Sequence, residues 1–175
     1  AKVRRKENRV QVQLNRPGNA WGVPLTVTKG VTLDAGAHEL EIAYLIEGVP
    51  QDQEMHFSVE FNLAGLPSHA DDRYYYQGDR ERLGTLDSQL DLQSIRELDM
   101  ADEWLGIDIG IWANRATHFW TYPVETVSQS EGGFELVHQS VVVQPHWYIR
   151  GDEQGRWTVT MRMAFDTSAA EAKLE

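Results

Sequence analysis

A chain of 175 residues is long enough for one core-bearing domain, and at this size folding buries roughly 70% of the surface that the unfolded form exposes. Without Cys there are neither disulfides nor thiolate metal sites, which leaves the compartment open with the cytoplasm as the expectation; no apolar run approaches the roughly 20 residues of a membrane helix. The formal charge of −11 opposes a nucleic-acid partner, whose phosphates need clustered Lys and Arg, so neither nucleic acid nor membrane is expected.

The chain begins AKVRRKENR, without an initiator Met, and ends AAEAKLE, so it reads as a piece of a longer protein. Its one basic cluster, Lys2, Arg4, Arg5, Lys6 and Arg9, reads as a solvated arm. Residues 1–9 and 167–175 are expected to be flexible ends of a single domain over 1–175. Leu40, Ile42, Tyr44 and Ile46 alternate with Glu39, Glu41, Ala43 and Leu45, as a half-buried strand requires, and the run stops at Gly48 and Pro50. Phe57, Val59, Phe61 and Leu63 repeat the pattern up to Gly65 and Pro67. The two runs are expected to pair antiparallel across the short connection between them. From Leu66 to Asp91 no clear period is visible apart from Tyr74, Tyr75 and Tyr76, and this stretch reads as a long loop. Ile107, Ile109 and Ile111 start another strand. Val137, Val141 and Val143, then Trp157, Val159, Met161, Met163 and Phe165, supply two late ones, with Asp152 to Gly155 as the polar turn between them. Only Ser168 to Leu174 has helical character, enough for a frayed turn or two. Short strands with Gly-rich turns and no βαβ alternation predict an all-β, antiparallel sandwich.

Candidate chemistry concentrates between His118 and Gln139. Trp120 and Tyr122 share a strand face by period two and run into Pro123 and Glu125, so an aromatic platform beside polar groups is expected there. Sugars stack their C–H patches on such rings, although core packing is the commoner fate of any single ring, Trp104, Trp112, Trp147, Trp157 and Tyr148 included. Glu125 and Glu131 would stand about 20 Å apart on extended backbone, and only a chain reversal would bring them to the spacing of a glycosidase pair. Gln129, Ser128 and Ser130 can satisfy loop backbone or reach a sugar hydroxyl, and Gly132 and Gly133 suit a turn with positive φ. The six His lack the spacing of a zinc site. No cofactor is therefore expected; Asp71, Asp72 and Asp79 are the one set that could offer oxygens to Ca²⁺.

The stretch WTYPVETVSQSEGGFELVHQ, with YLIEG and FSVEFNLAGL upstream and VVVQPHWYI downstream, resembles the C-terminal β-sandwich domain of glycoside hydrolase family 57 enzymes, the 4-α-glucanotransferase and α-amylase group. The resemblance covers roughly residues 20 to 165. It implies a galactose mutarotase-like or carbohydrate-binding-type super-sandwich whose catalytic carboxylates lie in a separate N-terminal barrel. On that basis the chain is expected to be a non-catalytic accessory domain with two partners, the barrel of its own polypeptide and an α-glucan. Carbohydrate or interdomain contacts would fall on His118, Trp120, Tyr122, Glu125, Gln129 and Glu131. The alternatives are a freestanding carbohydrate-binding module and an aldose epimerase using His118 or His138 with Glu125.

Overall fold

The structure, a computed structural model, describes residues 1–130 and 132–173. Twelve strands follow in chain order: β1 (Lys2–Lys6), β2 (Arg9–Ala20), β3 (Val23–Asp34), β4 (Glu39–Glu47), β5 (Met55–Ser58), β6 (Phe61–Ala64), β7 (Arg73–Gln77), β8 (Glu81–Thr85), β9 (Leu90–Asp102), β10 (Ile107–Ser130), β11 (Gly133–Ile149) and β12 (Arg156–Asp166). A single helical turn, α1 (Ser168–Glu171), follows, while the expected end at Leu174 lies outside the described residues. No described helix is long and apolar enough to cross a membrane. Every strand pairing is antiparallel. One layer runs β1-β2-β3-β4-β12-β10-β9-β7-β8, and β11 carries β5 and β6 on its far side.

The two layers share β10. Its first part, Ile107–Ala113, lies between β9 and β12; from His118 onward it pairs with β11, after a register shift against β9 between Trp112 and Thr117. The alternation read from the sequence places the core. Ile42, Tyr44 and Ile46 of β4, Trp157, Val159 and Met161 of β12, and Trp147 and Ile149 of β11 bury together. Leu98 and Met100 of β9, Ile109, Ile111 and Phe119 of β10, and Val141 and Val143 of β11 form the adjoining cluster. Buried polar groups are matched where the layers meet: Trp147 Nε1 donates to Thr117 Oγ1 at 2.9 Å, and Thr117 donates to the Arg115 carbonyl at 2.9 Å.

Two expectations are corrected. The runs 39–47 and 55–64 do not pair with each other; β4 lies between β3 and β12, whereas β5 and β6 both lie on β11. The second run is also broken at Val59 and Glu60. Pro145 of β11 stands at the break, where it has no N–H for the ladder and its carbonyl accepts from Val59 N–H at 3.0 Å. The supposed loop 66–91 contains the hairpin β7–β8. Its strands escape the period-two test because Tyr74 and Tyr75 are both buried in succession, Tyr75 in the core and Tyr74 beneath the Arg82 guanidinium, 3.7 Å from its ring centroid. The Asp152–Gly155 turn forms as read, with Asp152 Oδ1 accepting from the backbone N–H of Gln154 and Arg156.

Phe119 has no exposed surface and lies next to the bend of β10. Phe119→Ala should cost about 3–5 kcal/mol in urea unfolding, the range for an aromatic side chain deleted from a packed core. A cost below about 1 kcal/mol would mean that the bend is not packed as described.

Candidate functional site

Past its bend, β10 turns Phe119 and Thr121 into the interior, both at most 1% exposed. Period two therefore turns His118, Trp120 and Tyr122 to the outer face. Register with β11 sets His118 opposite His146 and Trp120 opposite Gln144. On the far side of β11, β5 places His56 opposite Tyr148 and Ser58 opposite His146, while β9 places Asp91 opposite Trp120. Four strands thus contribute to one surface.

The rings on this surface touch. Trp120 packs on His146 with centroids 3.9 Å apart and a 32° tilt, and its indole N–H donates to Asp91 Oδ1 at 3.2 Å. His118 stacks on His146 at 5.3 Å and His56 on Tyr148 at 4.9 Å. His56 Nε2 and His146 Nδ1 are 3.0 Å apart and share one hydrogen bond whose direction follows the tautomer. Beside them the Tyr122 hydroxyl donates to Gln144 Oε1 at 3.2 Å, and Gln144 Nε2 donates to Ser58 Oγ at 3.0 Å. Burial, then the charge of Glu60, raises the Tyr122 pKa.

His146 is the electrostatic centre of the face. It is 2% exposed, and burial, followed by the charges of His56 and His118, pulls its pKa from the ordinary 6.5 down to about 4. The ring is therefore neutral at neutral pH. Its Nε2 and the Nδ1 of His118 are buried atoms without a hydrogen-bond partner among the described residues. Such an atom costs about 1–3 kcal/mol. The neutral His146 ring, the Gln144 amide and the Ser58 hydroxyl, beside an indole and a phenol, suit a polyhydroxylated ligand better than an ion. Among the described residues no group of three or more His, Asp or Glu is placed to hold a metal ion, and Asp72, one of the three candidate Ca²⁺ ligands, is paired with Arg73 at 2.9 Å.

The remaining candidate residues are elsewhere. Glu125 shares its strand face with Phe119 and Thr121, not with Trp120, and its Oε1 lies 3.3 Å from His69 Nε2; His69 Nδ1 lies 3.0 Å from Asp87. His138 is committed to the loop before β7, its Nε2 donating to the Leu66 carbonyl at 2.8 Å and its Nδ1 meeting Ser68 Oγ at 3.1 Å. Glu125 therefore pairs with His69, and among the described residues neither His118 nor His138 is its hydrogen-bond partner. Gln129 is exposed near the tip of the β10–β11 hairpin opposite Phe134, Gly133 there has φ +122°, and Glu131 lies outside the described residues. Trp147 and Trp157 are core residues, whereas Trp104 is exposed. From the sequence, His56 and His146 enter only among the six His weighed as metal ligands, and Asp91 and Gln144 not as site residues; the alternation of His56 with half-buried Phe57, and of Gln144 and His146 with buried Val143 and Trp147, was the available signal.

A family model described as "Alpha-amylase/4-alpha-glucanotransferase, C-terminal" matches residues 2–161. Among solved structures, the chain is similar to a 4-alpha-glucanotransferase from Thermococcus litoralis, with TM-score 0.64 and 20% identity over 93% of this chain and 22% of that one. It is also similar to a candidate aldose 1-epimerase from Klebsiella pneumoniae, with TM-score 0.60 and 7% identity over 97% and 55% of the two chains. A third similarity is to a heparan sulfate lyase from Pedobacter heparinus, with TM-score 0.54 and 10% identity over 94% and 21%. At these identities the likeness is one of fold, here a galactose mutarotase-like β-sandwich, and the chain spans 22% of the glucanotransferase's length. No curated protein sequence matches.

The histidines bend the pH profile in opposite directions. Unfolded His146 titrates at 6.5 and the folded residue at about 4, so between these values the unfolded chain binds more protons and stability falls as pH drops. Hydrogen bonds to Asp87 and then Glu125 raise the pKa of His69 above 6.5, so its contribution is present below 6.5 and is lost as pH rises through the folded value. An NMR titration should place the His146 midpoint well below 6.5, and His146→Gln should flatten the loss of Tm between pH 6.5 and about 4. A midpoint at or above 6.5 would contradict the buried, neutral ring.

Proposed function

The chain belongs to the alpha-amylase/4-alpha-glucanotransferase C-terminal family, and from that premise we propose that it is the non-catalytic accessory domain of a family 57 α-glucan-acting glycoside hydrolase or 4-α-glucanotransferase. In this reading it packs on the catalytic barrel of the same polypeptide and contacts the α-glucan through the outer face of β10 and β11. The observation that carries the reading is the ring-lined outer face itself, where Trp120 packs on His146, His118 stacks on the same ring, and the Trp120 indole N–H meets Asp91. A glucose ring laid on the indole would gain its apolar contact there, with hydroxyls along the edge beside Asp91. The Tyr122–Gln144–Ser58 line extends the polar edge of the same surface.

The carboxylate of Glu125 supports a non-catalytic role, because it is held by His69 on the strand face opposite Trp120. For the barrel we assign the β10–β11 hairpin. Val127 faces Leu136 and Gln129 faces Phe134 across this two-stranded ribbon, and Val127, Leu136 and Phe134 are 67%, 65% and 78% exposed. An apolar ribbon face of this kind needs a partner, and interfaces between domains bury about 600–1,500 Å².

Calorimetric titration of the chain with maltoheptaose should show saturable binding, and Trp120→Ala should weaken it about three- to tenfold, the worth of one stacked ring. The same preparation should release no reducing sugar from amylose. Sugar release would overturn the non-catalytic reading, and unchanged affinity in Trp120→Ala would remove this face from it.

A further inference from the structure

The larger layer has an outer face of its own, remote in sequence register from His146. Leu98 and Met100 of β9, Ile109 and Ile111 of β10, and Met163 of β12 turn inward. Period two therefore turns Glu97 and Asp99, Gly110 and Trp112, and Arg162 and Ala164 outward, in register across three strands: Trp112 stands between Glu97 and Arg162, and Gly110 between Asp99 and Ala164. These residues line a groove of about 630 Å³. Its floor is low because Gly110 has no side chain: a Cβ there would come 2.6 Å from Asp99 Oδ1.

The charges along this groove are not all spent on one another. Asp108 is satisfied at both oxygens, by the Tyr76 hydroxyl at 2.8 Å and by Arg80 at 2.9 Å. Asp99 and Glu97, in contrast, accept no side-chain hydrogen bond among the described residues, and Asp99 is half-buried, so that burial, then the charges of Glu97 and Asp108, pushes its pKa up to about 6. Across the floor the Arg162 guanidinium lies 4.5 Å from the Trp112 ring centroid and, among the described residues, has no ion pair. Unspent acceptors thus face unspent donors over a floor of Gly and Ala, with an indole at one end. A simple cation would meet Arg162, and a simple anion would meet the carboxylates. A ligand whose neighbouring groups both donate and accept satisfies the two sides together, and vicinal hydroxyls do so.

We propose that this groove is a second carbohydrate site, taking a neutral polyhydroxylated ligand, a short α-glucan segment, whose hydroxyls donate to Asp99 and Glu97 and accept from Arg162 beside Trp112. It rests on the accessory-domain reading for its ligand class but shares no residue with the His146 face.

An NMR titration of the chain with maltoheptaose distinguishes the two surfaces in one experiment, because the Trp112 indole and Gly110 amide report the groove and the Trp120 indole reports the other face. Saturable shifts at Trp112 and Gly110 are expected at millimolar sugar. Asp99→Asn and Arg162→Met, each with an unchanged far-UV spectrum, should weaken the groove's affinity about tenfold, the worth of one charge-assisted hydrogen bond. Shifts at Trp120 alone would overturn the groove while leaving the first reading intact. Shifts at Trp112 with putrescine but not with maltoheptaose would overturn it too, by showing a cation site; groove shifts without Trp120 shifts would support the groove and count against the first face.

Discussion

Strand β10 has to serve two sheet layers with one backbone, and the side-chain period of two is what lets it do so. Before its bend it sends Ile109 and Ile111 into the core; after the bend it sends Phe119 and Thr121 there. Each inward residue fixes its neighbours outward, so the packing of Phe119 orients Trp120 as surely as any contact of Trp120 itself. A shift of one residue would bury His118 and Trp120 and expose Phe119. The buried Thr117–Trp147 hydrogen bond ties β10 to β11 close to where that register is set. The candidate site is therefore a consequence of core packing, with its polar groups carried on rigid strands.

The same register explains the unusual electrostatics. His146 is held between His118, His56 and Trp120, where hydration of an imidazolium is largely excluded and neighbouring imidazoles oppose a second charge. Neutral, it keeps one nitrogen for His56 and leaves the other unspent. Prolines mark the boundaries of this surface in the ladder. Pro123 follows Thr121, the last β10 residue paired with β9, and Pro145 sits at the gap between β5 and β6, so each falls where the ladder lacks a partner for a missing N–H.

Much of the fold was legible because the strands alternate cleanly. Ile42, Tyr44 and Ile46, and Val159, Met161 and Met163, face inward as their period requires, and Trp120 and Tyr122 share a face. Pairing was less legible, since β4 and β12 meet across more than a hundred residues and no local pattern records that; the nearer run in sequence was the wrong partner. Tyr74 and Tyr75 hid a strand because an arginine cover lets a second tyrosine bury on the outer side. The site was half readable: the β10 residues stood out as a cluster, but His56, Asp91 and His146 join them only through register, and period two itself places Glu125 on the far face, against its nearness in sequence. The groove at Gly110 was invisible for the same reason, as Asp99 and Arg162 are brought together by strands on either side of β10.

The central claim is that the outer face of β10 and β11 is a glucan-contacting surface. A crystal structure of the chain grown with saturating maltoheptaose tests it most directly. The account predicts a glucose ring on the Trp120 indole with hydroxyls beside Asp91 and the Tyr122–Gln144–Ser58 line. A bare face at His146 in crystals whose lattice leaves it open would contradict it.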